Sequence, residues 1–307
     1  TFRNDELDDL IIARGDGSPT YNLTVVVDDM DMQITHVVRG DDHLNNTPRQ
    51  INLYRALGVE PPSFAHLPMI HGPDGAKLSK RHGAVSVVQY RHDGFLPEAL
   101  LNYLVRLGWS HGDEEIFSRA ELVQLFDIKD VNHSASSINP EKLRWLNQHY
   151  MRELPVAEVA SELRWHLGQL GIDPDEFGPQ PAAIVPAYVD RVHTLVEMAE
   201  EARPFYQDAV EPDSTAMEKL DASAAMVVDA LTVALDDDAV WESTETLEAA
   251  VKGVAKTLDL KLGKVGPVLR LALLGHTSSP SFGVILELMG RVRSIQRLNA
   301  FRDRIGA

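Results

Sequence analysis

The 307-residue sequence predicts an α/β segment followed by an all-α region. Three observations carry this reading. Over residues 1–95, short apolar or β-branched runs alternate with a helical stretch that has clear start and stop signals. Over residues 96–150, helix start signals follow one another closely. Over residues 151–307, apolar residues recur at helical spacing and no convincing alternating strand occurs. The chain is long enough for two domains with real cores.

In order, residues 10–14 are a short strand candidate, closed by the turn Gly15-Asp16-Gly17-Ser18-Pro19. Thr20-Tyr21-Asn22-Leu23-Thr24-Val25-Val26-Val27 reads as a buried strand or a strand-to-helix entry, with β-branching favouring strand. Residues 34–39 form a second, short and apolar strand, as parallel strands are. Thr47-Pro48 opens a helix with Ile51, Tyr54 and Leu57 on one face, and Gly58 is placed to stop it. Residues 64–70 are a third strand. It feeds Gly75-Ala76-Lys77-Leu78-Ser79-Lys80-Arg81-His82-Gly83, a glycine-bounded loop with three cations in five residues. Strand, helix, strand and a basic loop is how an open α/β sheet carries a nucleotide site. A solvated basic turn is the other reading of that loop.

The middle part opens at Leu96-Pro97-Glu98, with Leu100, Leu101, Leu104 and Val105 on the helix. Ser118 and Glu121 have capping-box spacing, with Phe117 placed to staple onto Leu122. Asn139-Pro140 starts the next helix. In the last part we expect helices over 157–170, 184–205, 222–235 and 247–258, then a basic entry into an apolar helix over 261–275. Ser278-Ser279-Pro280 is expected to start another, whose amides favour an anion.

Composition narrows the function. The formal charge of −17 argues against a generic nucleic-acid coat. The distribution matters more: residues 208–248 hold 12 acidic side chains and one lysine, while residues 252–307 hold 10 basic and 3 acidic. The end of the chain is thus a basic segment on an acidic protein, either solubility charge or a phosphate-facing surface. The absence of cysteine excludes disulfides, a cysteine nucleophile and cysteine-ligated zinc, and fits a reducing cytoplasm. No run approaches the ~20 apolar residues of a membrane span, and no signal peptide is visible. The 12 histidines are scattered without ligand spacing, so no metal site is expected.

Arg39-Gly40-Asp41-Asp42-His43, at the end of the second expected strand, is open to two readings. It is a capped turn with its own ion pair, or an arginine fork for a carboxylate beside two acids that orient it or contact a ribose.

Lys77-Leu78-Ser79-Lys80-Arg81 resembles the Lys-Met-Ser-Lys-Ser loop of class I aminoacyl-tRNA synthetases. Thr20-Tyr21-Asn22-Leu23, Val38-Arg39-Gly40-Asp41-Asp42-His43 and Asn46-Thr47-Pro48-Arg49-Gln50 stand in the order and spacing of bacterial glutamyl-tRNA synthetase. The resemblance implies that residues 1–95 are the C-terminal half of a Rossmann-like nucleotide-binding domain. It makes 96–150 a helical linker that lies against the tRNA, and 151–307 a helical anticodon-binding domain. It implies ATP-dependent attachment of glutamate to tRNA(Glu) through a glutamyl-adenylate. Tyr21 and Arg39 would hold L-glutamate. Asp42, Ile70, Lys77, Ser79 and Lys80 would line the ATP site, with Lys77 and Lys80 neutralising phosphate beside Mg2+. Asp42 is more often glutamate in the family. Arg270, Ser279, Pro280 and Phe282 would approach the anticodon. A cytoplasmic monomer with no membrane partner is expected.

The His-Ile-Gly-His-like motif of the class has no match here, and the chain opens without methionine, so an N-terminally truncated chain, inactive alone, is expected. The alternatives are a tRNA-binding fragment without chemistry and a non-discriminating enzyme that also charges tRNA(Gln). Glutaminyl-tRNA synthetase is disfavoured by the helical end of the chain. A paralogue that glutamylates a tRNA nucleoside is disfavoured because it lacks that domain.

Overall fold

The computed structural model describes residues 2–78 and 86–306, so Ser79 and Lys80 lie outside the described residues. The chain divides into two units, Thr1–Val85 with Leu101–Pro140 and Ser86–Leu100 with Glu141–Ala307. The segment 96–150 is therefore shared between the two.

In the first unit, Thr20 is extended and leads into α1 (Tyr21–Asp31), a helix where the β-branched run favoured a strand. The reason is tertiary. Leu23, Val26, Val27 and Met30 recur at helical spacing, and the helix packs on α2 (Thr47–Ala56). Asn22 accepts from Gln50 at 2.9 Å across that contact, and Val26 is buried in it. Packing along this face outweighs the χ1 restriction that makes valine a modest helix former. Between the two helices, β1 (His36–Gly40) pairs in parallel with β2 (Ser63–Leu67), Arg39 opposite His66. Residues 10–14 contribute only the isolated bridge Ala13–Pro19, not a strand. Gly58, at φ +71°, turns the chain out of α2 as expected.

The expected strand over 64–70 is broken after Leu67. Ile70 and His71 form β3 (Ile70–His71), which returns in a hairpin through Gly75 (φ +76°) to Lys77. Ahead of the remaining elements of this unit come α3 (Val87–His92) and α4 (Pro97–Gly108). Next is α5 (Arg119–Leu125), where the capping box is realised. Ser118 Oγ accepts from the Glu121 amide at 3.2 Å, and Glu121 accepts from the Ser118 amide at 2.7 Å. Phe117 is buried against Trp109, ring centroids 5.4 Å apart. β4 (Ser136–Ser137) pairs with β3.

The second unit contains α3, the first residues of α4, and the helices that follow β4. These are α6 (Pro140–Glu153), α7 (Val156–Gln169), α8 (Pro181–Tyr188), α9 (Leu195–Ala202), α10 (Ser214–Met217), α11 (Ala224–Leu235), α12 (Thr244–Thr257), α13 (Leu262–Leu274), α14 (Phe282–Met289) and α15 (Arg291–Gly306). α7 packs on α8 and α9; α11 packs on α12, α13 and α15; α12 packs on α14. Leu163, Ile184, Phe205, Leu231, Val251, Leu269 and Leu298 are fully buried. Each such side chain contributes about 1.5–3 kcal/mol relative to exposure. The single helix expected over 184–205 is two helices and a short 3-10 turn. Carbonyls in the break are taken by side chains of α6: Gln148 donates to Val189 and Val192, and Asn147 donates to His193. Thr194 then caps α9 by accepting from Glu197 at 3.2 Å.

His166 on α7 is buried, and its Nε2 has no hydrogen-bond partner among the described residues. Burial, then the charges of Arg91 and His92, push its pKa down to about 4. The unfolded imidazole protonates near 6.5, whereas the folded one stays neutral to about 4. The neutral ring's stabilising contribution is therefore complete above pH 6.5 and is lost as pH falls toward 4. The loss amounts to no more than about 3 kcal/mol. Urea unfolding at about pH 7 and about pH 4.5 should show this loss in the parent chain and a smaller one in His166→Leu. Equal acid sensitivity in both chains would remove His166 as its source.

Candidate functional site

In the first unit, Arg39 is the penultimate residue of β1 and the following 3-10 turn carries Asp41, Asp42 and His43. Arg39 is half-buried over the ring of Phe64, 5.4 Å from its centroid. Its Nη2 donates to Thr47 Oγ1 at 2.7 Å, and its Nε faces His66 Nε2 at 3.5 Å. Gly40 lets the turn fold back tightly, because a Cβ there would stand 2.6 Å from Asp42 Oδ1.

Lys77 comes to the same turn from the hairpin. Its Nζ lies 2.8 Å from Asp42 Oδ2. The Lys77 hydrogen bond holds the Asp42 carboxyl below the usual range. Both side chains are substantially exposed, 60% for Lys77 and 40% for Asp42, so a polyphosphate competes for Lys77 at little cost. The arginine suited to a carboxylate and the lysine suited to a phosphate are thus joined through one three-residue step and one ion pair.

Tyr21, the first residue of α1, is exposed, and its hydroxyl lies 3.4 Å from His43 Nδ1. Asn46 Nδ2 approaches the same nitrogen at 3.2 Å. Ile70 stands at the base of the Lys77 hairpin, where its carbonyl accepts from the Leu78 amide at 3.0 Å. It lines an apolar cavity of about 330 Å³ with Leu67, Met69, Leu104, Trp109 and Phe126. Sequence reasoning missed that cavity and the roles of Thr47 and His66. Thr47 lay inside a quoted motif, but the pairing of His66 with Arg39 depends on strand register.

In the second unit, Arg270 on α13 donates through Nε to Ser279 Oγ at 2.7 Å, and its guanidinium lies over the Phe282 ring, 4.4 Å from the centroid. Ser279 Oγ donates to the Pro280 carbonyl at 2.9 Å. All four residues expected at this end of the chain therefore meet. Burial pushes the Arg270 pKa below its usual value, with Arg191 adding to the effect. Arg191, which the sequence did not single out, donates to Ser278 Oγ at 3.2 Å across 87 residues.

The helix expected to start at Ser278-Ser279-Pro280 starts later. Ser281 is its cap, accepting from the Val284 amide at 3.4 Å, and α14 begins at Phe282. The Ser279 amide is therefore not among the helix's first amides, since the proline that follows disfavours helical backbone at Ser279. Among the described residues no group of three or more His, Asp or Glu side chains is placed to hold a metal ion.

Residues 1–145 match the family model for the catalytic domain of class I tRNA synthetases (E and Q). Residues 155–302 match an anticodon binding domain. Among similar proteins, glutamate–tRNA ligase 1 of Nitrosococcus oceani is 55% identical over 299 residues, covering 97% of this chain and 63% of that protein. Glutamate–tRNA ligase 1 of Alkalilimnicola ehrlichii is 56% identical over 306 residues, covering 98% and 64%. The crystal structure of a glutamate tRNA ligase from Elizabethkingia meningosepticum in complex with its amino acid matches at TM-score 0.75 and 28% identity, over 97% of this chain and 63% of that one. The chain thus spans less than two thirds of the length of these relatives.

Proposed function

Because the chain belongs to the class I tRNA synthetases of the glutamate and glutamine branch, we propose that it serves the ATP-dependent attachment of glutamate to tRNA(Glu). The observation that carries this reading is the Lys77–Asp42 ion pair, which brings a phosphate-suited cation to the turn just after Arg39. The reaction runs in two steps. The glutamate α-carboxylate attacks the α-phosphorus of ATP, the bond to the bridging oxygen breaks, and pyrophosphate leaves. A hydroxyl of the terminal adenosine of tRNA then attacks the acyl carbon, and AMP leaves.

Neither step needs a protein nucleophile, so the side chains act by positioning and charge neutralisation. Arg39 forks onto the substrate's side-chain carboxylate, with the Tyr21 hydroxyl as a further donor. Lys77 leaves Asp42 for the departing phosphates, joined by Lys80 and Ser79 of the same loop. Ile70 and its apolar cavity suit the flat face of adenine. The nucleotide brings Mg2+ as its counterion, and no step passes through a protein-held metal. Arg270 offers a cation to unpaired anticodon bases, with the buried Ser279, Pro280 and Phe282 fixing its orientation. We read residues 1–95 as catalytic, 96–150 as the linker along the tRNA and 151–307 as the anticodon-binding part. The working state is a cytoplasmic monomer; no described helix is long and apolar enough to cross a membrane.

One observation favours a second reading, tRNA binding without chemistry. The Arg270 centre stands on a fully buried helical core, whereas residues 2–78 bury few apolar side chains, chiefly Val26 and Tyr54. Two assays separate the readings, each run on this chain and on a protein that carries it at the full length of its relatives. Exchange of pyrophosphate into ATP that requires L-glutamate and tRNA(Glu), and that L-glutamine does not support, establishes the catalytic one. tRNA(Glu) retention on filters that falls steeply with salt, without exchange, establishes the binding one. In that filter assay, Arg270→Ala should weaken retention by about tenfold. A flat salt response and no exchange would defeat both.

A further inference from the structure

Arg39 is held on one side before any ligand arrives. Its Nη2 donates to Thr47 Oγ1 at 2.7 Å. The Thr47 hydroxyl keeps one proton to place, and its nearest acceptor is His66 Nε2 at 2.9 Å, ahead of the His43 carbonyl at 3.5 Å. Arg39 Nε, which can only donate, faces the same His66 nitrogen at 3.5 Å. Two donors aimed at one imidazole nitrogen require it to be bare. The neutral His66 ring then carries its proton on Nδ1. Register enforces the arrangement, since Arg39 and His66 are paired across the parallel strands β1 and β2, and Thr47 is buried in the first turn of α2.

We infer that Thr47 and a neutral His66 are positioning residues that lock the Arg39 guanidinium in the orientation needed to fork onto an acidic amino acid. This rests on the reading of Arg39 as the carboxylate-holding residue. The lock freezes a long side chain in advance, so the ordering cost is met before the ligand binds. It also makes the grip sensitive to acid. The charged or titratable groups facing His66 are Arg39 from β1, and Asp41 and His43 from the turn. Burial, then Arg39 and His43, hold its pKa below the ordinary value, against the opposing pull of Asp41. His66 is thus neutral above this lowered pKa. Protonation below it puts an N–H where an acceptor is needed and a cation beside Arg39.

The test titrates L-glutamate into the 307-residue chain while following the His66 ring nitrogens and the Arg39 side-chain N–H signals by NMR. At neutral pH the parent chain should show an unprotonated His66 Nε2 and a guanidinium in slow rotation. Thr47→Val should release that rotation and weaken L-glutamate by about tenfold or more, and Thr47→Ser should restore both. His66→Gln keeps an acceptor oxygen. Whatever its affinity at neutral pH, it should lack the parent's further loss of affinity in acid.

A protonated Nε2 at neutral pH overturns the inference. So does Thr47→Val with unchanged Arg39 signals and unchanged affinity. If Arg39→Lys binds L-glutamate as the parent does, or the parent does not bind it, the carboxylate reading falls. The lock on Arg39 is then decided by the His66 tautomer and the guanidinium rotation alone.

Discussion

Asn147→Asp, a change of one nitrogen for one oxygen, should destabilise the helical unit by about 4 kcal/mol at neutral pH. Asn147 is fully buried on α6. Its Oδ1 accepts from the Leu96 amide at 2.8 Å, while its Nδ2 donates to the carbonyls of Gly94 at 3.2 Å and His193 at 2.7 Å. One amide thus ties together the loop before α4 and the loop before α9. A carboxylate keeps the first bond and turns the other two into oxygen facing oxygen, with a buried charge that has no counterion in the set. Asn147→Ala leaves the same backbone groups unpaired but adds no charge, and should cost about 2–3 kcal/mol.

The order of stability is therefore parent, then Asn147→Ala, then Asn147→Asp. For a unit of this size the last step of that order lowers the melting temperature by a few degrees, and the full change by about 10 °C. The sign of the pH dependence discriminates the cause. A carboxyl in that site has a raised folded pKa, so the aspartate variant gains on the alanine variant as pH falls toward the unfolded aspartate value of about 4. A gap between them that stays constant with pH would mean that charge is not the reason.

Arg39→Ala should reduce L-glutamate affinity by about a hundredfold, and Arg39→Lys by about tenfold. The guanidinium contributes two parallel N–H donors to a carboxylate, and the ammonium of lysine supplies charge without the fork. Lysine also lacks the geometry to engage Thr47 and His66 together while presenting a free edge. Isothermal titration with L-glutamate, L-glutamine and glutarate checks both magnitude and chemistry. The loss on mutation should be large for the two ligands with a side-chain-type carboxylate and small for glutamine. A similar loss for all three would place Arg39 on the α-carboxylate instead.

Much of the helical architecture was legible because helix ends carry chemistry. Thr47-Pro48, the Ser118–Glu121 capping box, Asn139-Pro140 and the basic entry before α13 each mark an observed start. α1 was misread because three consecutive valines speak for a strand locally, while the contact that overrules them comes from α2. The break after α8 could not be read either, since the groups that stabilise it belong to α6, about 40 residues earlier.

The candidate site divides the same way. Arg39, Asp42 and Lys77 stood out by residue type and by family resemblance, and the structure brings Asp42 and Lys77 into contact. His66 and Arg191 carry no local signal. Their partners lie 27 and 87 residues away, and only strand register or helix packing reveals them.

The parallel pair β1–β2 has a consequence of its own. Parallel strands are ordinarily covered on both faces and flanked by neighbours. Here the pair is a sheet of two strands, and Val38 is 46% exposed. Each strand has one lateral row of amides and carbonyls with no strand beside it among the described residues. Such rows recruit extended peptide, including that of a second molecule. In concentrated solution, clumping of this chain should therefore nucleate at residues 36–40 and spare the helices, and a lysine at position 38 should keep the protein in solution longer.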